Sequence, residues 1–169
     1  RDVYLFPCPT CSKSAATQMS ELISHLNSNC KSAWSGRIWL DIEGSQYWYV
    51  YVSMLVDFAF GVNVVVAWHR TGSYSNNKAW YQTLVDACGA YGVPCGVYSS
   101  KVQWTEIFGS ASYVYGSNLP LWYAHYDYNP SFSDFQAFAG WSTPHVKQYL
   151  GDVGLCGANV DKNWTPSSF

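Results

Sequence analysis

A chain of 169 residues is long enough for one domain whose core needs neither a metal nor a dense disulfide framework to form. Only 12% of it is charged, while 49% is hydrophobic and 18% aromatic, which excludes a disordered chain. The net charge of -2, without a basic run anywhere, leaves no electrostatic footprint for nucleic acid or another phosphate-bearing partner. Arg1 stands where a translated chain would have Met, and no cleavable secretion signal follows. A removed or unrecorded start is therefore expected, with residues 1–169 forming a single partial domain.

Residues 2–6 (DVYLF) read as a short buried strand closed by Pro and Cys. From Ser14, the positions Met19, Leu22, Ile23 and Leu26 recur at helical spacing and predict a helix ending near Asn27 to Asn29. Arg37 to Glu43 alternates, with Ile38, Leu40 and Ile42 on one side and Trp39, Asp41 and Glu43 on the other, so a strand is predicted. Tyr49 to Arg70 is almost continuously apolar and long enough for a membrane helix. Asp57 and Asn63 near its middle would be costly in hydrocarbon, and its Val and Tyr content favours strand, so no membrane span is expected.

Asn76 to Tyr91 reads as a helix with Trp80, Leu84, Val85 and Cys88 on one face and Gly92 as its stop. A strand at Cys95 to Ser99, a short helix around Trp104 to Phe108 and a strand at Leu121 to Tyr126 follow. Beyond these, His145 to Leu150 and Ala158 to Asp161 are strand-like, and only FSDFQAF between them could be helical. The order βαβ…αβα argues for an α/β fold, a parallel sheet with helices packed outside it, and an irregular barrel would accommodate the strand-rich final third.

Six cysteines point to an oxidising compartment. Proximity along the chain favours Cys8 with Cys11 and Cys88 with Cys95, leaving Cys30 and Cys156 as a residual pair. The CPTC stretch, between strand and helix, also admits a redox-active reading and hence a thiol oxidoreductase. The four histidines lack zinc-ligand spacing, and no nucleotide-binding or nucleophile-elbow motif is present, so neither metal nor cofactor is expected.

The pair in IWLDIEG is the strongest constellation. Residues two apart on a strand share a face, so Asp41 and Glu43 stand side by side at a strand's C-terminal end, where barrel enzymes build their sites. Neighbouring carboxyls push their proton affinities apart, leaving one acidic and one ionised group as glycoside hydrolysis requires. Tyr98, Trp104, Trp122, Tyr123, Tyr126 and Trp141 fall at or beyond strand ends, where aromatic faces suit sugar rings, although more than half are expected to fill the core. Asp161 ends the last strand-like run and could meet the Asp41–Glu43 pair only if the sheet closes on itself.

The blocks DVYLFPCPTCSKSA, GRIWLDIEGSQYW, AWYQTLVDAC with CGVYSS, LPLWYAHYDYNPSFSDF, VKQYLGD and CGANVDKNW resemble the glycoside hydrolase family 25 lysozymes, particularly the branch of invertebrates and protists. They cover nearly the whole chain in the family's order. The resemblance implies an irregular (β/α) barrel of TIM-barrel type, with five βα units and three further strands. It implies an N-acetylmuramidase that cuts the β-1,4 bond between N-acetylmuramic acid and N-acetylglucosamine in bacterial peptidoglycan. Carried over by motif, Glu43 is the general acid, Asp41 its electrostatic partner and Asp161 the carboxylate of the final strand, while Tyr4, Phe6, Tyr98 and Trp122 flank the sugar groove. The resemblance also implies a secreted or lysosomal and phagosomal monomer, with retention of configuration through the substrate's own acetamido group. A non-catalytic peptidoglycan- or chitooligosaccharide-binding relic of the same fold is the alternative.

Two departures stand out. The family begins upstream, with a first strand carrying another active-site Asp, so the chain as written is expected to be inactive. Joining Trp48 to Thr71 restores the family's spacing, which makes residues 49–70 an insertion whose ends are compatible with a retained intron.

Overall fold

The computed structural model describes residues 2–30, 33, 34, 36–57, 63–71 and 73–166, with 50–57 and 63–71 described by their backbone. Strand β1 (Val3–Leu5) leads through the CPTC turn to helix α1 (Ala15–Asn29), and β2 (Ile38–Asp41) to a 3-10 turn at Ser45–Tyr47. The antiparallel hairpin β3 (Val50–Asp57) and β4 (Asn63–Thr71) precedes α2 (Tyr74–Ala90), β5 (Cys95–Ser99) and α3 (Lys101–Phe108). Strands β6 (Leu121–Ala124), β7 (Val146–Leu155) and β8 (Ala158–Trp164) complete the order.

Each helix starts where a serine side chain can accept the first free backbone N–H: Ser14 from Thr17, Ser73 from Asn76 and Ser100 from Gln103. α3 stops at Gly109, whose φ of +79° is left-handed. The FSDFQAF segment, read as possibly helical, instead makes a single turn closed by the Phe135 N–H on the Phe132 carbonyl. Asp134 within it is drawn to the buried ammonium of Lys147, and Phe138 is bridged back to Trp141. These tertiary partners outweigh one more turn of helix.

Six strands form one sheet in the order β1-β2-β5-β6-β7-β8, parallel from β1 through β7 and antiparallel between β7 and β8. The barrel implied by the resemblance, short of its first strands, is open among the described residues. β1 and β8 stand at opposite edges without pairing, giving a half-barrel of three βα units and three further strands. The hairpin β3–β4 is a separate two-stranded sheet, so the apolar run adopts strand structure, with residues 58–62 outside the described residues. Among the described residues no helix is long and apolar enough to cross a membrane. Tyr49, the first residue of the expected insertion, is buried and donates its hydroxyl to the Glu106 and Ile107 carbonyls, which roots the hairpin in the core.

Alternation divides the sheet's two faces. Ile38, Leu40, Val97 and Leu121 point outward into a core shared with Met19, Tyr81, Leu84, Trp104, Ile107 and Phe108. The other set faces the hollow of the half-barrel. Disulfides join Cys8 to Cys11 and Cys88 to Cys95 as expected, but Cys30 and Cys156 are free. Their pairing fails on topology: Cys30 caps α1 beside the β1–β2 end, and Cys156 sits in the turn of the β7–β8 edge hairpin.

Candidate active site

Strand register carries the inward-facing residues into line. Tyr4 lies beside Trp39, which lies beside Gly96, and Asp41 lies beside Tyr98, then Trp122, then Val146. Gly96 makes this layer possible, because a Cβ there would stand 2.5 Å from the Trp39 ring. Two residues beyond Asp41, Glu43 leaves the strand just before Gly44, whose φ of +64° turns the chain. At this C-terminal end of the parallel strands opens a cleft of about 320 Å³.

Tyr4, Phe6, Asp41, Glu43, Tyr98, Trp122 and Asp161, the seven residues singled out from the sequence, all line it. Asp161, on the edge strand β8, lines the cleft although the sheet does not close among the described residues. Of the six aromatics at strand ends, Tyr98, Trp122 and Tyr126 line the cleft, while Trp104, Tyr123 and Trp141 are buried in the core. Trp122 is wedged edge-on between Trp39 and Tyr98, at centroid distances of 5.6 and 4.9 Å, and donates its indole N–H to Asn163. Tyr4 is 64% exposed and presents an open aromatic face.

Two further residues complete the lining, Tyr126 and Gln148. Tyr126 was legible only as one aromatic among several. Gln148 went unmarked, although alternation along β7 places a polar residue inward at a buried position, which is a usable signal. Its carbonyl oxygen accepts from the hydroxyls of Tyr98 (2.6 Å) and Tyr126 (2.7 Å), and its amide donates to Asp161 Oδ2 (2.9 Å).

The three acids sit in different surroundings. Asp41 is only 8% exposed, and its Oδ1 has no hydrogen-bond partner among the described residues. Burial, reinforced by the Glu43 charge, pushes its carboxyl up to about 8. Glu43 is raised too, first by burial and then by the Asp161 charge, but it remains partly open to the cleft. The expectation from the motif had Asp41 ionised beside a protonated Glu43. Burial instead holds the proton most tightly on Asp41, the more enclosed of the two.

Outside the cleft, His125, Asp127 and Asp134 converge closely enough to suggest a cation site. Lys147 already supplies the positive charge there, with its fully buried Nζ 2.8 Å from Asp127 and 2.6 Å from Asp134.

Comparison with known proteins places these features in a family. The profile of lysozyme-like protein 1 matches residues 1–87 and 61–149. "Probable GH family 25 lysozyme 2" of Dictyostelium discoideum is 44% identical over 98% of this chain and 65% of its own length. The chain thus spans just under two thirds of that relative. Among solved structures, the Clostridium perfringens spore cortex lytic enzyme SleM superposes with a TM-score of 0.66 at 20% identity, covering 96% of this chain and 48% of that one. The lysozyme of Streptomyces coelicolor superposes with a TM-score of 0.58 at 18% identity, over 98% and 66%.

Proposed function

The chain belongs to the glycoside hydrolase family 25 lysozymes, and on that premise we propose that it hydrolyses the β-1,4 bond between N-acetylmuramic acid and N-acetylglucosamine in bacterial peptidoglycan. One observation carries the reading: Asp41, Glu43 and Asp161 converge on a single aromatic-walled cleft at the C-terminal end of the parallel strands. Uncharged aromatic faces suit sugar rings, and three carboxyls in unequal surroundings supply both a proton and a negative charge.

In this mechanism Glu43, raised and open to the cleft, donates its proton to the glycosidic oxygen as the bond from that oxygen to C1 breaks. The carbonyl oxygen of the same sugar's acetamido group attacks C1, forming a cyclic oxazolinium. The Asp161 carboxylate offsets the developing positive charge. Water, deprotonated by Glu43, then opens the ring and restores the starting protonation, so the anomeric configuration is retained. Asp41, buried and neutral near pH 7, serves as a hydrogen-bonding wall rather than as a second anion.

The protein needs no cofactor in this scheme and works as a secreted or lysosomal monomer. Residues 49–70 are read as an insertion on the catalytic half-barrel, supported by β3 and β4 pairing only with each other among the described residues. Incubation of the chain with purified peptidoglycan tests the activity. Because Asp41, Glu43 and Asp161 already converge in this chain, release of reducing ends is expected in place of the inactivity anticipated from the missing upstream strand, and Glu43→Gln abolishes it. Retention of wall fragments without any release would favour the binding relic instead.

A further inference from the structure

Asp161 is held on both oxygens by groups from β7. Gln148 Nε2 donates to Oδ2 at 2.9 Å, and the backbone N–H of Asp152 donates to Oδ1 at 3.0 Å. Asp152 can aim its N–H this way because β7 departs from regular register between Leu150 and Val153, with Asp152 in the left-handed region at φ +56°. Gly151 beside it leaves room, since a Cβ there would already lie 3.3 Å from Asp161 Oδ1.

Gln148 is only 4% exposed, and its amide has one workable orientation. The carbonyl oxygen takes the protons of two tyrosine hydroxyls, and turning the amide over would set that oxygen against the Asp161 carboxylate. A buried amide with all these partners met is rigid. It links β5 through Tyr98, the β6 exit through Tyr126 and β8 through Asp161.

We propose that Gln148 is a positioning residue: it fixes the Asp161 carboxylate toward Glu43 and locks the hydroxyls of Tyr98 and Tyr126, so that the cleft wall is preorganised before substrate arrives. With both hydroxyl protons committed to Gln148, the two tyrosine oxygens can only accept. That wall therefore recognises the ligand's own donors, its sugar hydroxyls and amide N–H. The inference rests on the glycosidase reading for its catalytic consequence but not for its geometry.

Two variants of the full chain test it, with the Glu43 carboxyl followed by carbon-13 NMR titration and turnover followed on peptidoglycan. Gln148→Met keeps the volume and loses every hydrogen bond. Freed from its clamp, Asp161 acts less on Glu43, whose midpoint falls by about half a unit or more. The value of kcat drops about tenfold or more as the carboxylate loses its orientation, with KM within about threefold. Gln148→Glu keeps the acceptor for both tyrosines but sets a carboxylate against Asp161, and here the midpoint of Glu43 rises. If Gln148 merely fills space, Gln148→Met leaves the Glu43 midpoint unmoved, whereas the added charge of Gln148→Glu raises it in either case. An unchanged midpoint in folded Gln148→Met overturns the proposal, and should that variant fail to fold, Gln148→Leu, which also loses every hydrogen bond, decides. Opposite shifts in a chain that hydrolyses nothing would uphold the positioning role and remove the glycosidase reading.

Discussion

Replacing Asp41 by Asn should make the protein more stable in alkali while impairing turnover. The Asp41 carboxyl is enclosed, one of its oxygens lacks a partner, and its proton is held up to a pH of about 8. An unfolded chain releases that proton near pH 4. Because the folded value lies above the unfolded one, the protonated acid contributes its full stability below about pH 4, and this is lost as pH rises toward 8. A gap of about four units corresponds to on the order of 5 kcal/mol across that window. Asn keeps the shape and never ionises, so its stability should stay level where the parent's declines. Urea unfolding at pH 5, 7 and 9, followed by tryptophan fluorescence, gives the difference between the two proteins, in which the other titrating groups largely cancel. The expected difference grows by several kcal/mol in favour of Asn. A difference that stays flat from pH 5 to 9 would refute burial of the neutral acid.

Glu43→Gln should lower the hydrolysis rate by about 10²- to 10⁴-fold while oligosaccharide binding, read by calorimetry, stays within about threefold. Trp122→Ala removes a ring wedged between Trp39 and Tyr98, and should cost about 2 to 4 kcal/mol of stability as well as weakening sugar binding. Tyr4→Ala, at an exposed ring, should weaken binding about three- to tenfold and leave stability within about 0.5 kcal/mol; equal thermal losses in both variants would contradict this division. Deleting residues 50–70 while keeping the buried Tyr49 should leave the melting temperature within a few degrees, since among the described residues β3 and β4 pair only with each other. The monomer fraction by size exclusion should rise, because VNVVVAW combines strand propensity with no charge. A collapse of the fold would make the hairpin integral.

What could be read in the sequence was governed by simple periods. Alternation in RIWLDIE put Ile38 and Leu40 against the helices and Asp41 toward the cleft, and apolar spacing marked the helices. The buried face of α2 was legible in part, since Leu84 and Cys88 are buried and Trp80 and Val85 pack against the core from its flanks. It centres on Tyr81, with Asn77 donating to the Ile107 carbonyl, and a polar residue inside an apolar stripe hides the stripe's position. Gln148 escaped for a similar reason, since its burial depends on partners contributed by three separate segments. The failure of Cys30 to reach Cys156 has no local signature, because it depends on which strand ends up at which edge.

The central claim is tested most directly by identifying the sugar at the new reducing end. Peptidoglycan digested by the chain, reduced with borohydride and resolved by mass spectrometry should yield fragments ending in reduced N-acetylmuramic acid, with none from Glu43→Gln. Fragments ending in reduced N-acetylglucosamine, or equal release by the Gln variant, would contradict the account.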